Sequence, residues 1–222
     1  MTKTTTHNLS DELLMGYAAG ALPQAFDLVV ASHVSLSADS RTRLDGFEAL
    51  GGALLNEVEG AEIADDSFAT VVARINGDAP EATQQTVPSG HNGHSGPFLP
   101  RPLRDALGQD IDAIAWRPIG MGVKQAIVHD DHEGTARLLL IPAGVEMPKH
   151  SHRGLELTLV LQGAYSDEDG RYARGDIEEA DEDTHHTPVA EAGEDCICLI
   201  ATNARLKFDN LLPRIAQPFI GI

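Results

Sequence analysis

The chain is poor in cysteine and in basic residues, with two cysteines, Cys196 and Cys198, among 222 residues and 16 lysines and arginines against 34 acidic side chains. Two cysteines are too few for a disulfide framework, which fits a reducing compartment. The formal net charge of -18 would repel a phosphate backbone, so direct nucleic-acid binding is not expected, while a basic protein partner is compatible with it. No apolar run is long enough to span a bilayer, and the N-terminus MTKTTTHNLS lacks the apolar stretch of a secretory signal. The reading is a soluble, cytoplasmic protein with no membrane contact. Its 42% hydrophobic content supports ordinary cores, and its length fits two modest domains.

Residues 1–76 read as short helices. Ser10 is placed to cap a helix with Asp11 and Glu12 in its first turn, Leu13, Leu14, Tyr17 and Ala18 on one face, and Gly20 near its end. Pro23 suits the first turn of a second helix, whose stripe is Phe26, Val29, Val30 and His33. A third begins near Asp39 and carries Leu44, Phe47, Leu50, Leu54 and Val58. A fourth, from about Ser67, presents Phe68, Val71, Val72 and Ile75. No such helix buries its stripe alone, so they are expected to pack together or on a partner. The segment holds 12 acidic and 4 basic residues within 1–80, so the negative charge is not that of one acidic tail.

Residues 77–102 turn to Pro, Gly, Ser, Thr and Gln without periodicity and read as a flexible linker, in which His91 and His94 are solvated. Beyond it, short strands are expected at 124–128, 136–141, 155–162 and 196–201, separated by the turns HDDHEG, PAG, SDEDGRYARGD and AEAGED. Strands without intervening helices indicate an antiparallel sandwich or barrel. Cys196 and Cys198 share a face of one strand and read as buried packing, with an oxidant-sensitive pair as the lesser alternative.

The stretch GVEMPKHSHRGLELTLVLQG runs from Gly144 to Gly163. On an extended strand His150 and His152 point the same way, and Glu156 keeps that parity if no bulge intervenes. Two imidazoles and a carboxylate suit a borderline divalent metal such as zinc, iron, manganese or nickel, with a fourth ligand from His185 or His186. Adjacent residues face opposite sides of a strand, so one of the two joins.

The same stretch matches the first cupin motif, G-x5-H-x-H-x3-E-x6-G, at Gly144, His150, His152, Glu156 and Gly163, and so resembles the cupin barrels. The second cupin motif is represented by Gly175, Asp176 and His186, with DEDT where a Pro and a Gly usually stand. Both halves of the chain are similar to the ChrR family of two-domain zinc anti-sigma factors. The likeness lies in DELLMGYAAGAL, AFDLVVASHVSL, RGLELTLVLQGAY, HTPVAEAG, DCICL and the closing LLPRIAQPF. It implies an α+β multidomain chain: a helical anti-sigma domain over 1–76, a linker over 77–102, and an antiparallel cupin β-barrel over 103–222. It selects His186, at the start of HTPVA, as the fourth ligand beside His150, His152 and Glu156, with one divalent metal, zinc, in the barrel.

In that family the helical domain holds zinc through an upstream His and H-x3-C-x2-C. The matching residues are His7, His33, Ser37 and Ser40. Serine hydroxyls are poor zinc ligands beside thiolates, so this second zinc site is expected to be lost, leaving His33 as a half-buried, hydrogen-bonded residue. The resemblance implies a protein without turnover that sequesters an extracytoplasmic-function sigma factor. The barrel then responds to an oxidative signal, singlet oxygen first among them. The alternative is a metal-dependent cupin enzyme of dioxygenase type with a helical oligomerisation module, for which Glu146 and Tyr165 are the available acid-base groups. A third reading is a stand-alone small-molecule sensor.

Overall fold

The computed structural model describes residues 5–77, 99–108, 113–204 and 207–208. The segment with His91 and His94 and the closing LLPRIAQPF lie outside the described residues. By packing, the chain divides into two compact units, Met1–Gly51 with Gly96–Ile222, and Gly52–Ser95.

In the first unit the helices form where the apolar spacing places them. Helix α1 spans Asp11–Ala18, and the Ser10 hydroxyl accepts from the Leu13 amide at 3.4 Å. Helix α2 spans Gln24–Leu36 behind Pro23, and α3 follows at Ala38–Asn56, running on into the second unit. Arg43 of α3 donates to Asp11 and to the Leu9 carbonyl, tying α3 to the start of α1.

The barrel is built from β1 (Arg117–Gly120), β2 (Val123–Asp130), β3 (Thr135–Ile141), β4 (His150–Ser151), β5 (Glu156–Gln162), β6 (Ala164–Ser166), β7 (Arg171–Ala173), β8 (Ile177–Ala180), β9 (His185–His186), β10 (Val189–Ala190), β11 (Cys196–Thr202) and β12 (Lys207–Phe208). A six-stranded antiparallel sheet has the order β1-β2-β3-β11-β5-β8; two three-stranded sheets, β10-β6-β7 and β12-β4-β9, complete the architecture. Gly163 turns the chain from β5 into β6 at φ 67°, and a Cβ there would lie 2.8 Å from the Asp195 carbonyl oxygen, so that position requires glycine.

The central strands are apolar on both faces. Their inward residues, including Leu139, Ile141, Val160, Cys196 and Cys198, form the barrel interior. Their outward residues, Leu138, Leu157, Leu159 and Leu199, share one core with Ala25, Phe26, Val29 and Val30 of α2. The stripe of α2 is therefore covered chiefly by the sheet. A sheet buried on both faces is what continuous runs such as RLLLI and LTLVL produce. Helix α5, Arg101–Leu107, falls partly within the expected linker and packs on α2 through its buried Leu103.

In the second unit α4 spans Ser67–Asn76. Its stripe stays in solvent: Phe68 is 80% exposed and Ile75 76%. Leu54, Leu55, Val58 and Ile63 are exposed as well.

Candidate metal centre

Antiparallel pairing of β4 with β9 sets His150 directly opposite His186, and His152 follows two residues after His150. All three are buried. The Nε2 atoms of His186 and His150 are 3.1 Å apart, and those of His186 and His152 are 3.3 Å apart. Nitrogens around a tetrahedral zinc, each about 2.0–2.1 Å from the ion, stand about 3.3–3.4 Å from one another, so the spacing matches such a shell.

The tautomers make the same point. His150 Nδ1 lies 2.8 Å from the Pro148 carbonyl oxygen, which can only accept, so Nδ1 carries the proton. His186 Nδ1 faces two carboxylates, Glu178 Oε1 at 2.9 Å and Asp167 Oδ2 at 3.1 Å, and is likewise the donor. Each ring therefore turns Nε2 toward the others, where a proton on His186 Nε2 can bridge to its neighbours and a divalent cation would take that proton's place. Carboxylate-backed imidazoles are also the more basic metal ligands. Burial holds the His150 pKa below its ordinary value. At His186 burial acts the same way, but the hydrogen bond and charge of Glu178 outweigh it and push the pKa up to about 9.

Glu156 is buried but stands apart from the convergent nitrogens, with Oε2 3.5 Å from His152 Nδ1. A bend at 153–154 separates β4 from β5, so H-x-H and the glutamate occupy different strands, and the uninterrupted strand on which shared parity depends is not formed. Burial disfavours the Glu156 carboxylate, yet the facing imidazole of His152, with His150 and His186 behind it, keeps its pKa below the usual range. His185 points outward, exposed, and donates to the Asp183 carbonyl oxygen.

Three partners of the cluster were not singled out in the sequence. Glu178 on β8 takes His186 on one oxygen and, on the other, the Tyr165 hydroxyl at 2.5 Å. Asp167 lies in the turn after β6. The acidic run around each residue hid its role. Arg137 lines the same cavity, a space of about 70 Å³ bounded by His150, Glu156, Tyr165 and Glu178 and by apolar Leu139 and Ile200. Burial and Glu178 raise the Tyr165 pKa well above its ordinary value, so its hydroxyl serves as a fixed donor. Cys198 also faces this cavity; its Sγ is 3.6 Å from that of Cys196, and the hydrogen bond with Cys196 and burial raise its pKa. A thiol held protonated in a core is a packing group.

The helical positions at which the resemblance implies zinc are arranged otherwise. His33 Nδ1 donates to the Gly175 carbonyl oxygen at 3.1 Å, so its Nε2 accepts the Ser40 hydroxyl proton at 2.9 Å. The Ser37 hydroxyl donates to Asn8 Oδ1 at 2.7 Å. The His7 ring packs at a tilt of 34° against Tyr172, 4.4 Å between centroids. With the His33 lone pair taken, hydroxyls where thiolates would stand and His7 elsewhere, these residues do not fit a zinc ion.

Comparison with known proteins places this geometry in context. Residues 105–205 match the family model described as the ChrR cupin-like domain. Over 219 residues, 99% of this chain and 100% of the relative, the sequence is 47% identical to the anti-sigma-E factor ChrR of Cereibacter sphaeroides. The crystal structure of Rhodobacter sphaeroides SigE in complex with the anti-sigma ChrR is similar with a TM-score of 0.75 and 45% identity, over 90% of this chain and 99% of that one. Among the described residues, no helix is long and apolar enough to cross a membrane.

Proposed function

The chain belongs to the ChrR family of anti-sigma factors, and from that premise we propose that it sequesters a sigma factor in the cytoplasm through residues 1–76 while its cupin barrel acts as a metal-dependent regulatory module. The relative in the similar crystal structure is held with SigE. The observation that carries the reading is the bare apolar surface of α4 and the chain before it, with Ile63, Phe68 and Ile75 each more than three-quarters exposed. Such a surface marks an interaction site. The net charge of -18 complements the basic, DNA-binding patches of a sigma factor. The protein works by binding, without turnover. Titration of purified chain against the sigma factors of the same organism tests the assignment, and failure to bind any of them in the resting state would remove it.

In the barrel one divalent ion, zinc, is held by His150, His152 and His186, with Glu156 as the fourth ligand. The converging Nε2 atoms support the three imidazoles, and the anionic state of the nearby Glu156 supports the fourth. When bound, the ion supplies a Lewis-acidic centre whose imidazole and carboxylate shell is the part a small oxidant would alter. The chain's own residues hold those ligands, exclude water and present the apolar cavity. An oxidant that alters the shell releases the sigma factor, provided the altered barrel favours a helical arrangement that binds it less well. The helical domain carries no zinc, and the Asn8, His33, Ser37 and Ser40 cluster fills that place.

A further inference from the structure

We propose that β8 links the histidine cluster to the helices, with Glu178 as the positioning residue whose contact with His186 governs how firmly residues 6–10 are held on the barrel. The inference rests on the regulatory reading of the barrel and supplies its physical connection. Strand β8 is the edge of the six-stranded sheet and pairs there with β5. Its free edge is covered by the N-terminal segment: the Ile177 amide donates to the His7 carbonyl oxygen at 3.2 Å. The amides of Thr6 and His7 donate to Asp176 Oδ1 at 2.5 and 3.0 Å, and that of Ser10, the cap of α1, to Glu179 Oε1 at 2.6 Å. Helix α2 reaches the same turn through His33 and the Gly175 carbonyl.

Alternation along the strand turns Glu178 the other way, into the barrel, where it accepts from His186 and Tyr165. One four-residue strand thus holds a candidate metal ligand on its inner face and the start of the helical segment on its outer face and edge. Displacing Glu178 shifts the neighbouring backbone that clamps the segment. By linkage, the same coupling makes loss of the segment weaken the cluster's hold on its ion.

The test is amide hydrogen exchange on the full chain, with zinc, after chelation, and in Glu178→Gln and Tyr165→Phe variants, alongside metal analysis. Expected is at least tenfold faster exchange at Thr6, His7, Ser10 and Ile177 on chelation and in zinc-loaded Glu178→Gln, with the Leu138 and Leu199 amides still protected. If Glu178→Gln loses that central protection, the milder Tyr165→Phe decides by the same amides. Unchanged exchange after measured metal loss overturns the coupling. A chain that binds no zinc, yet whose segment loosens in Glu178→Gln, upholds the coupling and removes the metal reading. A chain that binds none and does not loosen removes both.

Discussion

Phe26 and Phe68 carry the same side chain in opposite surroundings, 2% and 80% exposed, and replacing each with alanine separates folding from partner binding. Phe26 lies in the core shared by α2 and the outer face of the sheet. Its truncation leaves a cavity and costs about 3–5 kcal/mol, a large part of the ~5–15 kcal/mol that holds a typical domain. Phe68→Ala removes nothing buried, so folding free energy should change by no more than ~0.5 kcal/mol. Against the sigma factor the order reverses. An aromatic anchor buried on association loses about 2 kcal/mol or more when truncated, which is roughly a 30-fold weaker Kd. Urea unfolding followed by circular dichroism gives the first pair of numbers, and calorimetric titration of the sigma factor gives the second. A Phe68→Ala protein that binds within twofold of wild type refutes the docking role of α4. A Phe26→Ala protein of undiminished stability refutes the packing of α2 on the barrel.

Burial drives the His33 pKa from its ordinary 6.5 down to about 4, so the native state favours the neutral ring. The unfolded chain takes up that proton first; the associated stability, at most about 3 kcal/mol, is present above pH ~6.5 and is lost as pH falls toward ~4. Unfolding across this window should show the loss in wild type, and a His33→Gln variant with the same slope would contradict it. Metal analysis should find one equivalent of zinc per chain, removed by His150→Ala; unchanged content in the variant excludes His150 as a ligand. Restoring thiolates with Ser37→Cys plus Ser40→Cys places soft donors beside His33 and should add a second zinc equivalent, and a count that stays at one would show that more than the sulfur was lost.

The long elements were legible because each carries a full period of apolar residues. The stripes at Phe26, Val29 and Val30, and at Phe68, Val71 and Ile75, lie on α2 and α4, and the four longest barrel strands lie within two residues of their expected bounds. Strands β4, β9 and β10 are two residues long, too short for any periodicity, and exist because neighbouring backbone completes their ladders. Parity between His152 and Glu156 holds only on a continuous strand, and nothing in the pattern of so short a segment marks the bend at 153–154 that interrupts it. The cover for α2 was written in the sequence as runs without alternation, but such runs state only that both faces are buried, not what buries them.

Glu178 shows where sequence patterns stop. It sits in IEEA, followed by DED, within a chain of 34 acidic residues, and by composition it reads as one more solvated carboxylate. Its burial comes from the register of β8, which pairs Glu178 with the inward Thr158 of β5 and leaves Ile177 and Glu179 on the opposite side. A one-residue slip would put Glu178 on the outer face and send Glu179 toward His186, with the same composition and the same strand. What distinguishes the two glutamates is the Gly175 and Asp176 turn, whose carbonyl and carboxylate are fixed by His33 and by the amides of Thr6 and His7. The barrel's inner carboxylate is therefore set partly by residues of the helical segment. A change of sequence in either half that shifts this turn should alter the other half, without touching a metal ligand or the exposed face of α4.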